Sequence, residues 1–289
     1  MALACLKAGP KGGRAKSPSP TSARRLVRLV RILFVGDIVG SPGRQIVHDR
    51  LADALEQHHV DLCIANGENS ASGFGITPRL AEELFAAGAE VLTGGNHIWD
   101  RKEILEFFPH EPRLLRPANF PIGSPGSGLY MSAAKNGVPY AVLNLQGRTF
   151  MTPIDCPFRG AERELARIPA TTKVIFVDMH AEATSEKQAM GWFLDGKVSV
   201  VVGTHTHVAT ADERVLPGGT AYITDVGMTG PHDSVIGMDK AGIVQRFLDG
   251  MPARFTVSER DVRMNTVLID VDESTGHARS IERLVFRAD

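Results

Sequence analysis

The chain has 289 residues, of which 43% are hydrophobic and 22% are charged, and its formal net charge is −1. This composition is typical of a soluble globular protein with one large domain or two small ones, and a chain of this length can form a core large enough to need no disulfides. The three cysteines, Cys5, Cys63 and Cys156, are widely spaced and odd in number. They argue against a disulfide framework or a thiolate metal site, and they favour a reducing, cytoplasmic location.

Charge is distributed unevenly along the chain. Residues 1–31 contain eight Lys or Arg and no Asp or Glu, which leaves 24 basic residues against 33 acidic ones in the rest. An acidic body argues against stable nucleic-acid binding, but not against a small phosphate ester held by cations. We interpret residues 1–29 as a basic, disordered tail before one domain at 30–289. A targeting segment and a start codon placed too early are the alternatives.

Short apolar runs alternate with helical segments through the first half of the chain, which is typical of an α/β fold. Buried strands are predicted at 31–36, 61–65 and 90–93. Each is followed by a predicted helix, at about 41–58, from 77 onward and at about 100–108. No apolar run approaches the roughly 18 to 20 residues that span a bilayer, so we expect no membrane segment.

The second half of the chain changes character. Residues 109–127 contain several Pro and Gly and are predicted to form a long loop. Further strands are predicted at 129–134, 138–145, 173–177 and 198–202, and in the alternating segment 255–287. The first two flank Asn136-Gly137, the strongest short signal for a hairpin, and a helix joins the next two. Two sheets packed face to face, with helices outside, accommodate this pattern.

Side chains that can bind metal ions follow the ends of five predicted strands. They are Asp37, Glu68, Asn69, Asn96, His97, His180, His205 and His207. Because the carboxyl ends of parallel strands meet at one edge of a sheet, we expect these side chains to surround one cavity. Carboxylate, amide and imidazole ligands without a thiolate suit manganese, iron or zinc. Two such ions about 4 Å apart are typical of phosphatases and nucleases.

Individual motifs also have other interpretations. Asp37 fits a turn or a helix cap, and its neighbours Gly40 and Gly43 form part of a spacing that loosely resembles a dinucleotide-binding loop. His205 and His207 are a stronger signal, because alternate residues of an extended segment face the same side. Two imidazoles on one side can reach adjacent metal ions, which favours a metal site over two surface histidines.

These motifs resemble the calcineurin-like metallophosphoesterase superfamily, and specifically its YmdB-like branch. The superfamily pattern is Asp-x-His, Gly-Asp, Gly-Asn-His, His and Gly-His-x-His. Its counterparts here are Asp37-Ile-Val39, Gly67-Glu-Asn69, Gly95-Asn-His97, Asp178-Met-His180 and Gly203-Thr-His-Thr-His207. Val39 and Glu68 replace a ligand His and a bridging Asp, and both departures follow the YmdB-like pattern. The resemblance covers roughly residues 31–287.

The resemblance implies a four-layer αββα sandwich, with two mixed sheets flanked by helices, and hydrolysis of phosphodiesters such as 2′,3′-cyclic nucleotides. One metal ion would be held by Asp37, Glu68, Asn69 and His207. The other would be held by Glu68, Asn96, His180 and His205. Both ions are expected to be transition metals, iron or manganese, with Glu68 and a hydroxide shared between them. His97 would remain unliganded and act as the general acid.

Several alternatives stay open at this point. A phosphomonoesterase, such as a nucleotidase, would use the same centre. A regulatory or RNA-linked protein could use the metals structurally or to sense iron, and a dinucleotide-dependent dehydrogenase is a more distant alternative. The sequence is also compatible with a homo-oligomer, and it does not identify the physiological substrate.

Overall fold

A computed structural model describes residues 28–288, together with residues 4 and 9. The tail predicted at residues 1–29 therefore lies almost entirely outside the described residues. At its end, Arg28 donates a 2.6 Å hydrogen bond to the carbonyl oxygen of Asn136. The first strand begins at Leu29, so the last two residues assigned to the tail contact the domain.

The described part of the chain contains twelve strands and six helices. The strands are β1 (Leu29–Val35), β2 (Leu62–Asn66), β3 (Val91–Thr93), β4 (Leu129–Ala133), β5 (Pro139–Gln146), β6 (Val174–His180), β7 (Val200–Thr204), β8 (Arg214–Val215), β9 (Ala221–Ile223), β10 (Gly230–Pro231), β11 (Val262–Asp272) and β12 (Ala278–Arg287). The helices are α1 (Gly40–Gln57), α2 (Pro78–Ala86), α3 (Ile104–Phe107), α4 (Pro157–Leu165), α5 (Thr184–Leu194) and α6 (Lys240–Asp249).

The strands form two mixed sheets. The first has the order β10-β11-β1-β2-β3, with β12 also paired to β11. In it β1, β2 and β3 are parallel, and β11 runs antiparallel to β1. The second has the order β4-β5-β6-β7-β9-β8, in which the four central strands are parallel and both edge strands are antiparallel. The predicted hairpin is confirmed as β4 and β5, joined around Gly137 at φ 83°.

Both faces of each sheet are buried, which produces four layers. Along β1, Ile32 and Phe34 face the core between the sheets, whereas Leu33 and Val35 face the core under the helices. This alternation follows from the period-2 geometry of a strand. Across the inner core, the ring of Phe34 lies 5.2 Å from that of Phe176 on β6. The αββα sandwich of two mixed sheets is therefore confirmed.

Two helices and three short strands were not predicted. α4 buries Pro157, Gly160, Ala161 and Glu164, a helical spacing of small and polar residues that gives no apolar stripe. α6 has no buried residue, although Asp239 caps its start and Gly250 ends it in the left-handed region. The strands β8, β9 and β10 have two or three residues each, which is too short for a period to show. No helix among the described residues is long and apolar enough to cross a membrane.

Candidate metal centre

The parallel strands of both sheets end at the same edge of the sandwich, and the predicted donors lie there. The first sheet contributes Asp37 after β1, Glu68 and Asn69 after β2, and Asn96 and His97 after β3. The second sheet contributes His180 at the end of β6, and His205 and His207 after β7. The structure thus brings together all eight residues predicted from the sequence, from five strand ends.

Three ligand-type atoms surround one ring nitrogen of His180. Its Nε2 lies 2.9 Å from Glu68 Oε1, 3.0 Å from Asn96 Oδ1 and 3.0 Å from His205 Nδ1. One ring nitrogen carries at most one hydrogen, so it cannot satisfy three such neighbours by hydrogen bonding. Ligands about 2.1 Å from one ion and at right angles to each other are separated by about 3.0 Å. The spacing therefore fits a shared cation.

A second group of donors adjoins the first. His207 Nε2 lies 3.2 Å from the amide nitrogen of Asn69 and 4.0 Å from Asp37 Oδ1. The same amide nitrogen is 3.4 Å from Glu68 Oε1, and a half-turn of the amide would present its oxygen instead. Asp37 Oδ1 is buried without a hydrogen-bond partner. Glu68 belongs to both groups and therefore lies between the two candidate cation positions.

Burial and charge make this cluster a suitable place for cations. Burial raises the pKa of Asp37. Burial also raises the pKa of Glu68, but the charges and hydrogen bonds of His180 and His97 together outweigh it and lower that pKa to about 2. For His180 burial lowers the pKa, whereas the charge and hydrogen bond of Glu68, with the charges of Asp37 and Asp178, raise it to about 9. Fully buried carboxylates need a nearby positive charge, which a bound metal ion supplies.

His180 is oriented by a buried chain of hydrogen bonds that the sequence analysis missed. The hydroxyl of Thr204 donates to Asp178 Oδ1 at 2.7 Å and therefore accepts from His180 Nδ1 at 2.9 Å. Thr93 and Asn66 donate to the other Asp178 oxygen, at 2.6 and 3.2 Å. With its hydrogen on Nδ1, the ring presents Nε2 to a metal ion. Asp178 precedes His180 by two residues on β6, and this same-face spacing was a usable signal for its role.

The two histidines after β7 are held in the same manner. The carboxylate of Glu182 lies 3.2 Å from His205 Nε2, which leaves Nδ1 facing the cluster. The carbonyl oxygen of Ile236 accepts a 2.9 Å hydrogen bond from His207 Nδ1, which leaves Nε2 facing Asp37. Burial and the charge of His180 lower the pKa of His205 to about 3, so its ring is neutral and able to bind a metal ion.

The backbone of this loop differs from the extended segment assumed from the sequence. His205 and His207 have φ angles of 97° and 66°, in the left-handed region that non-glycine residues rarely adopt. Between them, Thr206 donates from its hydroxyl and its backbone nitrogen to Asp225 Oδ2, at 2.7 and 3.2 Å. The ammonium of Lys187 on α5 contacts the same oxygen at 2.6 Å, and both charged side chains are buried. The histidines therefore converge because a buried ion pair clamps the loop, not because of a strand pleat.

His97 occupies a different position from the seven candidate ligands. Its backbone nitrogen donates to Glu68 Oε2 at 3.0 Å, whereas its ring Nδ1 lies 2.7 Å from Asp100 Oδ2. The ring is 30% exposed and packs edge-on against Phe74, with centroids 5.1 Å apart. It lines a cavity of about 660 Å³ together with Glu68, Asn69, His205 and His207. His97 can therefore meet a molecule bound in this cavity.

Comparisons with known proteins identify the family of this chain. A family model described as YmdB-like protein matches residues 33–284. The chain is 51% identical to the 2′,3′-cyclic-nucleotide 2′-phosphodiesterase of Bacillus subtilis (strain 168), over 90% of this chain and 98% of that protein. A solved hypothetical protein from Thermus thermophilus matches with a TM-score of 0.85 and 38% identity, over 90% of this chain and 100% of that one. A solved phosphatase from Mycoplasma pneumoniae matches with a TM-score of 0.86 and 33% identity, over 91% and 95%. The chain therefore belongs to the YmdB-like family of the calcineurin-like metallophosphoesterases.

Proposed function

We propose that this protein hydrolyses phosphodiesters at a two-metal centre, and that 2′,3′-cyclic nucleotides are its substrate class. The observation that carries the proposal is the cluster of buried donors around Glu68, which opens directly into a cavity lined by His97. The Bacillus subtilis relative carries the corresponding activity in its name. A cavity of about 660 Å³ is of the size that binds small organic ligands.

The donors divide into two sets of four that share Glu68. One set is Asp37, Glu68, Asn69 and His207. The other set is Glu68, Asn96, His180 and His205. Mixed oxygen and nitrogen ligands without sulfur favour iron or manganese. Two bound ions would supply an activated water and neutralise the charge that builds up on the phosphoryl oxygens.

His97 is suited to deliver a proton to the leaving group. Asp100 accepts from Nδ1 and fixes the direction of the ring, so that Nε2 is the nitrogen available for transfer. As a water oxygen bonds to phosphorus, the bond from phosphorus to one ribose oxygen breaks, and that oxygen takes the proton from His97 and becomes a free hydroxyl group of the ribose. Proton donation to a leaving alkoxide contributes about 10²- to 10⁴-fold to a rate.

Metal analysis paired with an assay tests this function. We expect about two transition-metal ions per chain, by analogy with two-metal hydrolases, and hydrolysis of 2′,3′-cyclic AMP that stops on chelation and returns with Mn²⁺. His97→Ala should keep both metals and lose most of the activity, whereas the exposed His48→Ala serves as a matched control. Bound metal without turnover would contradict the substrate class, and a folded protein that binds no metal would overturn the centre itself.

A phosphomonoesterase on the same centre is the second candidate, because the Mycoplasma pneumoniae relative is described as a phosphatase. The donors would hold the phosphate of either substrate, so the two functions differ in whether the phosphorus carries one ester group or two. The ratio of activity on bis(p-nitrophenyl) phosphate to activity on p-nitrophenyl phosphate separates them. A ratio well above one supports the phosphodiesterase, and the reverse supports the monoesterase.

A further inference from the structure

The cavity beside the donors is lined by two chemically different groups of residues. One group is the metal-ligand candidates and His97. The rest of the lining is largely apolar and includes Phe74, Ile236, Met238, Ile243, Phe247 and Phe255, which we call the apolar wall. Besides the donors and His97, two charged side chains line the cavity, Glu182 and Arg246. The carboxylate of Glu182 faces His205, and the guanidinium of Arg246 lies 5.1 Å above the ring of Phe255. The lining therefore suits a ligand with a charged end and a largely apolar end.

Phe74 is the aromatic side chain of this wall whose ring packs against His97. It stands between Gly73 and Gly75, whose φ angles of 91° and 79° turn the loop so that the ring faces the cavity. Arg101 fixes this loop, because its guanidinium donates to the carbonyl oxygens of Phe74 and Ala71 at 3.1 and 2.9 Å. The ring is held on one edge by His97, and the residue is still 38% exposed. Phe74 thus presents an exposed aromatic ring beside the candidate acid.

We infer that this wall is a nucleobase subsite, that Phe74 stacks on the base, and that the subsite accepts purines and pyrimidines alike. The inference rests on the proposed function: once the cyclic phosphate lies at the donors, the ribose carries its base away from them, toward the apolar wall. Every base has a π face that can stack on an aromatic ring, whereas discrimination between bases requires hydrogen-bonding groups. Apart from Arg246, whose guanidinium lies over the ring of Phe255, the wall supplies rings and aliphatic groups, so it recognises the presence of a base more than its identity.

Three substrates test the inference on the metal-loaded enzyme. They are 2′,3′-cyclic AMP, 2′,3′-cyclic UMP and ribose 2,3-cyclic phosphate, which lacks a base. We expect kcat/KM for the two nucleotides to agree within about tenfold, and to exceed that for the baseless compound by about 10- to 100-fold, as expected for stacking of one base. Equal hydrolysis of all three would overturn the subsite while leaving the phosphodiesterase intact. No hydrolysis of any of them would remove the proposed function, and the subsite with it.

A variant series assigns the effect to Phe74. Phe74→Ala should bring the ratio of kcat/KM for 2′,3′-cyclic AMP over ribose 2,3-cyclic phosphate close to one. Because the ratio compares two substrates of one variant, it cancels any effect of the substitution on His97. Phe74→Tyr should restore the ratio, since it retains an aromatic face. Trp192→Ala, at an exposed aromatic on α5 outside the cavity, is the matched control. An unchanged ratio in Phe74→Ala would contradict the assignment.

Discussion

The two sheets contribute different halves of the candidate metal centre. The first sheet supplies oxygen donors, from Asp37, Glu68, Asn69 and Asn96. The second sheet supplies imidazole nitrogens, from His180, His205 and His207. Each proposed metal ion takes ligands from both sheets, so neither sheet holds a complete set. The centre therefore depends on the packing of the two sheets against each other, and bound metal would in turn connect the layers.

The two halves are also supported differently. In the half that supplies oxygen donors, the backbone itself lies close to the opposite sheet. A Cβ atom at Gly95 would lie 2.1 Å from the ring of His180, so only glycine allows this close contact. On the imidazole side, buried polar and charged side chains hold the rings, above all Asp178, Thr204 and the pair Lys187–Asp225. We therefore expect the imidazole half to be sensitive to substitutions that do not touch a ligand.

The largest effect should follow from the residue that both halves share. Glu68→Gln removes the negative charge between the two candidate cation positions. We expect activity to fall by at least about 10³-fold, more than the 10- to 100-fold typical of residues that hydrogen-bond a metal ligand without binding the metal themselves. Metal content by mass spectrometry should fall by at least one ion per chain. Glu162→Gln, on the exposed face of α4, is the matched control. A fully loaded, active Glu68→Gln protein would contradict the sharing of this carboxylate.

The buried ion pair Lys187–Asp225 should make the largest contribution to folding stability among the groups that hold His205 and His207. Lys187→Met leaves Asp225 buried without its partner charge, and we expect unfolding free energy to fall by about 3–5 kcal/mol, measured by denaturant titration. The double variant Lys187→Met, Asp225→Asn removes both charges and should recover part of the loss. Lys197→Met, at a more exposed lysine of the same region, is the control. A stable single variant would show that the loop does not depend on this clamp.

A smaller and more specific effect is expected at Thr204. Thr204→Val keeps the shape of the side chain but removes the hydroxyl that joins His180 Nδ1 to Asp178. We expect metal affinity to fall by about 10- to 100-fold, measured by competition with a metal indicator. Thr204→Ser retains the hydroxyl and should bind metal as the unchanged protein does. Equal affinities of the Val and Ser variants would show that this bond does not orient the ring.

The smallest effect concerns the pH dependence of the metal-free protein. The pKa of His180 is raised from 6.5 to about 9 in the folded chain. Protonated His180 therefore contributes stability that is fully present below pH 6.5 and is lost as the pH rises through about 9. We expect the Tm of chelated protein to fall by a few degrees across this window, and that of protein with excess Mn²⁺ to stay level, because the metal replaces the proton. A level Tm after chelation would contradict the assigned shift.

Local patterns in the sequence were sufficient for the strands that position the donors. Apolar runs followed by Gly, Asn, Asp or His identified the ends of β1, β2, β3 and β7, and Asn136-Gly137 identified the hairpin. The same patterns could not reveal α4, whose buried face is small and polar, or α6, which buries no residue. They also predicted an extended backbone for the loop of His205 and His207, whereas both residues have left-handed φ angles in the structure.

The sequence by itself determined which donors stand at strand ends, because the alternation of strand and helix fixes where each strand stops. The tertiary structure alone decided what lies behind and across from those donors. Asp225 is 38 residues from Lys187, and Asp178 is 85 residues from Thr93, so no local period relates them. The apolar wall combines Phe74 with Met238 and Phe255, from distant parts of the chain. Such contacts arise only when the sheets pack, since burial then forces each polar group to find a partner wherever the chain supplies one.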